Sequence, residues 1–264
     1  MKVGCCIGIG CYEQVLHAGY RSITLPGVEL SAMDEAVFEK KLKKVTSGPL
    51  DVYSINSFCP PSLRLTGADF NRQALEDYAG RLFSRAARLG VRYVGVGSPA
   101  SRSTRPGEDP AAALEELKNS LAILCRLGES CGLTILLESV CTLECNLITY
   151  TQEAARLVRT LNLPNLGLVY DIYHAHMMGE DPRYILEAGD LIHAVHIAQN
   201  EGGKRCYLRE ENMTEYLPYV EALYEAGYDG ELNLEAFFGD IAQELPRSKA
   251  ILDRALTTAR QHAV

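Results

Sequence analysis

The sequence lacks a CxxC pair, an apolar run long enough to cross a membrane, and any excess of positive charge. Each absence excludes something. The 9 cysteines stand at positions 5, 6, 11, 59, 125, 131, 141, 145 and 206. That odd, scattered set builds no disulfide framework. Cys141 and Cys145 share only a CxxxC spacing, too little for a zinc knot, and read as small buried residues in a reducing cytoplasm. Without about 20 consecutive apolar residues there is no transmembrane helix. The start, one lysine followed by VGCCIGIGC, is too short and glycine-rich for a signal peptide. A cytoplasmic protein is expected. The net charge of -8 makes nucleic acid and anionic membrane surfaces poor partners. The GIGC run does not complete the GxGxxG dinucleotide fingerprint.

What is present is a recurring alternation. The chain has 264 residues, 47% of them hydrophobic, enough to bury a core without staples. Strand-like runs are expected at Lys2–Ile9, Tyr20–Leu25, Asp51–Phe58, Val91–Val96, Leu133–Glu138, Leu166–Asp171, Leu191–Ala198 and Gly230–Glu235. Helical patterns lie between most of them, at Tyr12–Ala18, Met33–Lys44, Asn71–Leu89, Pro110–Ser130, Thr151–Leu161 and Thr214–Ala226, with a short one opened by Asp181-Pro182. Ser31 or Asp34, and Thr151, are the expected caps. A last helix is expected from Pro246 to Ala259, and loops at 139–150, at 199–213 and around His174 and His176. Strands alternating with helices, with no linker between them, call for a parallel sheet with crossover helices. Eight such units predict one (β/α)8 TIM barrel domain over residues 1–264; an open doubly wound sheet is the alternative.

Four consecutive strand-like runs carry a metal-binding side chain at or near their end: Glu138, Asp171, His196 and Glu235. Barrel chemistry sits where strands end. Alternation puts Thr134, Leu136 and Glu138 on one face, and likewise Gly167, Val169 and Asp171, then Ala194 and His196, then Glu231, Asn233 and Glu235. His193 has the opposite parity to His196, so it faces the helix layer or caps the strand entrance. A carboxylate ending an apolar run is costly unless paired or bound to a cation. Two glutamates, an aspartate and a histidine suit Mn²⁺, Mg²⁺, Co²⁺ or Zn²⁺ better than copper.

The strings LLES with Glu138, YDIYH with Asp171 and His174, HAVHIAQN with His196 and YDGELNLEAF with Glu235 resemble the xylose-isomerase-like barrels. Within these the chain is similar to the sugar isomerase/epimerase group of ketose 3-epimerases, inosose isomerases and dehydratases, and hydroxypyruvate isomerase. The resemblance covers nearly the whole chain. It implies a metal site of Glu138, Asp171, His196 and Glu235, with one divalent ion, Mn²⁺ first. It implies substrate contacts at Glu144 and His174, and Glu138 and Glu235 as the pair exchanging protons with a small ketose or keto-polyol. The implied reaction is isomerisation or epimerisation through a metal-stabilised cis-enediolate. A dehydratase or lyase, including one cleaving a C-glycoside, begins with the same α-proton removal and is the alternative. Relatives of this kind are often dimers or tetramers. The chain departs from the family after His196. Gln199 stands where many relatives have an acidic residue, and NEGGKRCYLREEN lacks the proline-glycine turn, with Arg205 the candidate for the family's arginine and so a third expected substrate contact. Asn56, Phe58 and Pro60 in NSFCP are expected at the pocket wall. His176 has no expected role beyond structure.

Overall fold

Eight strands pair in parallel and close on one another. They are β1 (Lys2–Cys6), β2 (Ser22–Pro26), β3 (Asp51–Asn56), β4 (Tyr93–Val96), β5 (Thr134–Glu138), β6 (Leu166–Asp171), β7 (Ile192–Ile197) and β10 (Glu231–Leu234). Around the barrel the order is β1-β10-β7-β6-β5-β4-β3-β2. Two short strands, β8 (Gln199–Glu201) and β9 (Lys204–Cys206), form a separate antiparallel pair. The structure, a computed structural model, describes residues 1–262; the last two of the expected 1–264 lie outside the described residues. Every residue of β6 is buried, as a parallel strand covered on both faces requires.

The helices are α1 (Tyr12–His17), α2 (Gly27–Ala32), α3 (Glu35–Thr46), α4 (Arg72–Arg88), α5 (Pro99–Arg102), α6 (Pro110–Glu129), α7 (Thr151–Leu161), α8 (Ile172–Met177), α9 (Tyr184–Ala188), α10 (Met213–Glu225) and α11 (Ile241–His262). The sequence logic is plain in α4. The Asn71 side chain accepts from the Ala74 amide at 3.0 Å, and Leu75, Ala79, Leu82, Phe83 and Ala86 bury one stripe. Gly90 then takes φ +76°, which a side chain would resist. No helix among the described residues is long and apolar enough to cross a membrane.

Several expected boundaries move for physical reasons. The helix expected from Met33 to Lys44 comes as two: Gly27, directly after β2, opens α2, and α3 starts separately after Asp34 and runs to Thr46. Tyr150, not Thr151, is the N-cap of α7, because Glu153 reaches back to the Tyr150 amide at 3.2 Å. His174 and His176 lie on a helix rather than a loop, since Asp171 caps α8. The 199–213 segment is largely a hairpin, turned by Gly202 and Gly203 at φ +60° and +80°. The last helix begins before Pro246, at an Asp240 whose side chain accepts from the Ala242 amide.

Two register shifts shape the barrel floor. One in β3 leaves Tyr53 unpaired between Val52 and Ser54; the other in β7 leaves His193 between Ile192 and Ala194. The Tyr53 hydroxyl donates to the His193 carbonyl at 2.7 Å, and Tyr93 stacks on the His193 ring. Leu136, Val169 and Ala194 form an apolar layer against Tyr53 and Tyr93. His193 therefore closes the strand entrance, the second of its two expected places. Beside this layer is a polar seam. Thr24 and Ser54 share a hydrogen bond at 2.7 Å, and Ser22 donates to Glu231. Gly4 admits the seam, because a β-carbon there would overlap Asn233 and Ser22. Burial pushes the Glu231 carboxyl up to about 7. A carboxyl raised in the folded state stabilises the fold fully below its unfolded value, and that contribution fades as pH rises through about 7. Glu231→Gln should therefore flatten the decline in wild-type stability between about pH 4.5 and 7.5, by up to about 3 kcal/mol, in urea titrations across that range.

Candidate functional site

The barrel brings the four strand-end donors together. One donor atom each of Glu138, Asp171, His196 and Glu235 lies within 4.8 Å of all the others. All four residues are buried. His196 Nδ1 is 3.5 Å from Glu138, 4.0 Å from Asp171 and 3.3 Å from Glu235. This nitrogen is buried without a hydrogen-bond partner. Three carboxylates around an unpartnered imidazole nitrogen are a donor set suited to a divalent cation. The residues present thus fit the ion implied by the sequence.

Neighbouring groups fix each donor. Asp171 Oδ1 accepts from the amides of Tyr173 and His174, so the carboxylate that ends β6 also starts α8. Asn56 Nδ2 donates to Glu235 Oε1 at 2.5 Å. Gly97 makes room for Glu138: a methyl group there would collide with Glu138 Oε2. Arg102, fully buried, donates to the Glu138 carbonyl at 2.8 Å and also reaches the Val96 and Ile148 carbonyls. It ties the ends of β4 and β5 to the 139–150 loop. Sequence patterning did not single out Arg102, because an arginine in a serine- and proline-rich stretch reads as surface charge.

Arg205 enters from the hairpin. One nitrogen meets Asp171 Oδ2 at 2.6 Å, the other Glu235 Oε2 at 3.0 Å, and the guanidinium lies 4.5 Å from the Tyr173 ring centre. His174 Nε2 is 2.7 Å from the same guanidinium. Burial alone would push both acids up. His196 and Arg205 outweigh it at Glu235, and Arg205, His174 and His196 do so at Asp171, holding both carboxyls below their usual range. Glu138, with no arginine on its carboxylate, is pushed up to about 7 by burial. Burial brings His174 down to about 4, so it is neutral near pH 7.

A cavity of about 260 Å³ opens above these groups, lined by Glu138, Glu144, His174, Arg205 and Glu235 among others. All three residues expected to meet a substrate thus border one space. Ser57, Cys59, Pro61, the 97–101 segment and Phe237 also line it. Of the expected wall residues, Asn56 reaches Glu235 instead, and Phe58 is fully buried against Tyr78 and Phe83. Pro60 does not border the cavity. Gln199 is buried at the base of the hairpin. His176 lies against Tyr216 and 3.6 Å from Glu215, away from the donors. Cys145 faces Arg102 at 3.4 Å rather than Cys141.

A family model described as a xylose isomerase-like TIM barrel matches residues 12–256. The chain is 28% identical over 175 residues to an inosose isomerase of Bacillus licheniformis, covering 63% of this chain and 61% of that protein. It is 30% identical over 148 residues to a ketose 3-epimerase of Arthrobacter globiformis, covering 54% and 50%. The matches thus span between half and about three-fifths of these curated relatives. Among solved structures, an L-ribulose 3-epimerase superposes with TM-score 0.82 at 17% identity, over 99% of this chain and 96% of that one. A D-allulose 3-epimerase from Methylomonas sp. in complex with D-allulose does so with TM-score 0.82 at 18% identity, over 97% of each. At such identities the superpositions establish the fold.

The guanidinium of Arg205 faces buried acids that would otherwise repel one another. In metal-free protein, Arg205→Met should cost about 3–5 kcal/mol at pH 7 by urea denaturation. Acids depressed in the folded state stabilise it above their unfolded values and lose that contribution as pH falls. The difference between variant and wild type should therefore shrink towards acid pH, as Asp171 and Glu235 take up protons.

Proposed function

This chain belongs to the xylose isomerase-like TIM barrel family, and on that footing we propose that it is a divalent-metal-dependent isomerase or epimerase of a small ketose or keto-polyol. The observation that carries the reading is that Glu138 and Glu235, from strands with two others between them, border one cavity beside His196. The names of the curated relatives, inosose isomerase and ketose 3-epimerase, support the substrate class. The cavity, about 260 Å³, lies just below the ~300–1,000 Å³ of ordinary ligand pockets, which suits a molecule of monosaccharide size. We take the catalytic unit to be the one barrel.

Glu138, Asp171, His196 and Glu235 are assigned as the residues that would hold the ion, with Mn²⁺ the choice for a site of mainly carboxylate oxygen with one imidazole. When bound, such an ion supplies a Lewis acid that polarises a carbonyl oxygen. The protein's own groups do the rest. Glu235, its carboxylate fixed by Asn56 and Arg205, takes the carbon-bound proton next to the carbonyl. Glu138 returns a proton from its own side of the cavity. Return to the same carbon on the opposite face gives the epimer; return to the neighbouring carbon gives the aldose–ketose isomer. Arg205 and neutral His174 face the substrate oxygens, and Glu144 binds a hydroxyl at the mouth.

Ketoses incubated in D₂O with enzyme and Mn²⁺ should gain deuterium at the carbon next to the carbonyl while the sugar stays intact, as proton NMR reports. Loss of water or of an aglycone would instead indicate elimination. Glu235→Gln should slow exchange by about 10²–10⁴ while sugar binding is retained. Unchanged exchange would sink the assignment of the base.

A further inference from the structure

Closure of the barrel brings one more donor to the same level. β1 pairs with β10, Gly4 opposite Asn233 and Cys5 opposite Leu234. Cys6, which ends β1, shares the parity of Gly4, where a β-carbon would point at Asn233 and Ser22 inside the barrel. Cys6 therefore points into the barrel at the height of Glu235. One donor atom each of Cys6, His196 and Glu235 lies within 4.8 Å of the other two. All three residues are buried, Cys6 at 3% exposure and His196 at 2%. The His196 ring is common to this group and the four-residue one, and its Nδ1, 3.3 Å from Glu235, has no hydrogen-bond partner in this interior.

We propose that Cys6 is a fifth donor at this site and that with His196 and Glu235 it forms a sulfur-containing seat for thiophilic divalent cations such as Zn²⁺, Co²⁺ or Cd²⁺. The proposal rests on the metal reading above and deepens it. An oxygen-preferring ion such as Mn²⁺ gains most from three carboxylates, and so takes Glu138, Asp171 and Glu235 with His196. A softer ion gains more from sulfur and is drawn towards β1. On binding, the sulfur–hydrogen bond of Cys6 breaks, its proton passes to water, and a sulfur–metal bond forms with no change of oxidation state. The two seats share His196 and Glu235, so they exclude one another. A thiophilic ion drawn to β1 loosens its hold on Glu138 and Asp171. The identity of the bound ion then decides whether both glutamates are set for proton exchange.

Cobalt reports on this directly, because a cobalt–thiolate bond adds a charge-transfer absorption in the near ultraviolet that oxygen and nitrogen ligands do not. Wild type, Cys6→Ser and Cys141→Ser are titrated with Co²⁺, with binding followed by calorimetry and absorbance together. Cys141 is the control because it clusters with Glu144 and His174 nearby. The expected result is the thiolate band in wild type and Cys141→Ser, and its absence from Cys6→Ser, which still binds Co²⁺ through the remaining donors. Cd²⁺ affinity should fall roughly tenfold or more in Cys6→Ser, with Mn²⁺ affinity within about twofold of wild type. Thermal midpoints of the metal-free variants, with Cys6→Ala as a second replacement, show that both fold. Co²⁺ bound to wild type without the band, or a band that persists in Cys6→Ser, overturns the fifth donor alone. No heat and no band in wild type would overturn the metal reading and this proposal together.

Discussion

Three buried carboxylates held within reach of one imidazole nitrogen are the constraint on which the rest of this site depends. Like charges at such separations in a dry interior repel strongly unless a cation lies among them. Arg205 supplies one such charge and reaches two of the acids. The neighbouring arrangements follow from the same demand. Asp171 spends one oxygen on the amides of α8, Asn56 holds an oxygen of Glu235, and Gly97 leaves the volume that Glu138 fills. Without these contacts the acids would relax apart or take up protons, and neither outcome leaves a focused site.

The barrel makes this arrangement rigid. Glu138 and Asp171 end their strands, His196 stands one residue before the end of β7 and Glu235 immediately follows β10, and each strand is locked to two neighbours by parallel pairing. Arg102 extends that rigidity into the 139–150 loop by joining the carbonyls of Val96, Glu138 and Ile148. At the other end of the barrel, Tyr53, Tyr93 and His193 fill the floor. Access is left at the mouth, where Glu144 and Arg205 border the cavity.

Much of this was legible in the chain because a charged residue at the end of an apolar run is conspicuous. Glu138, Asp171, His196 and Glu235 stand out for that reason, and alternation places them on the inner face. Gln199 and Arg205 were harder, since their positions depend on a hairpin set by two glycines in left-handed conformation, and a charged, glycine-bearing stretch reads equally well as loop. Parity left His193 two places, and the choice between them was beyond the sequence, because it depends on a register shift in β7. α8 was hidden by the double duty of Asp171, a carboxylate that reads as a ligand yet is also a helix cap. Cys6 was hidden because a small cysteine in a glycine-rich strand resembles ordinary core. Only barrel closure brings it beside Glu235.

The central claim is that Glu138, Asp171, His196 and Glu235 form one site for a divalent cation. Metal content after equilibrium dialysis against Mn²⁺ tests it most directly, on wild type and on His196→Ala. The account predicts one Mn²⁺ per wild-type chain and a large loss of bound metal in the variant. Wild type that retains no Mn²⁺, or a variant that retains as much as wild type, would contradict it.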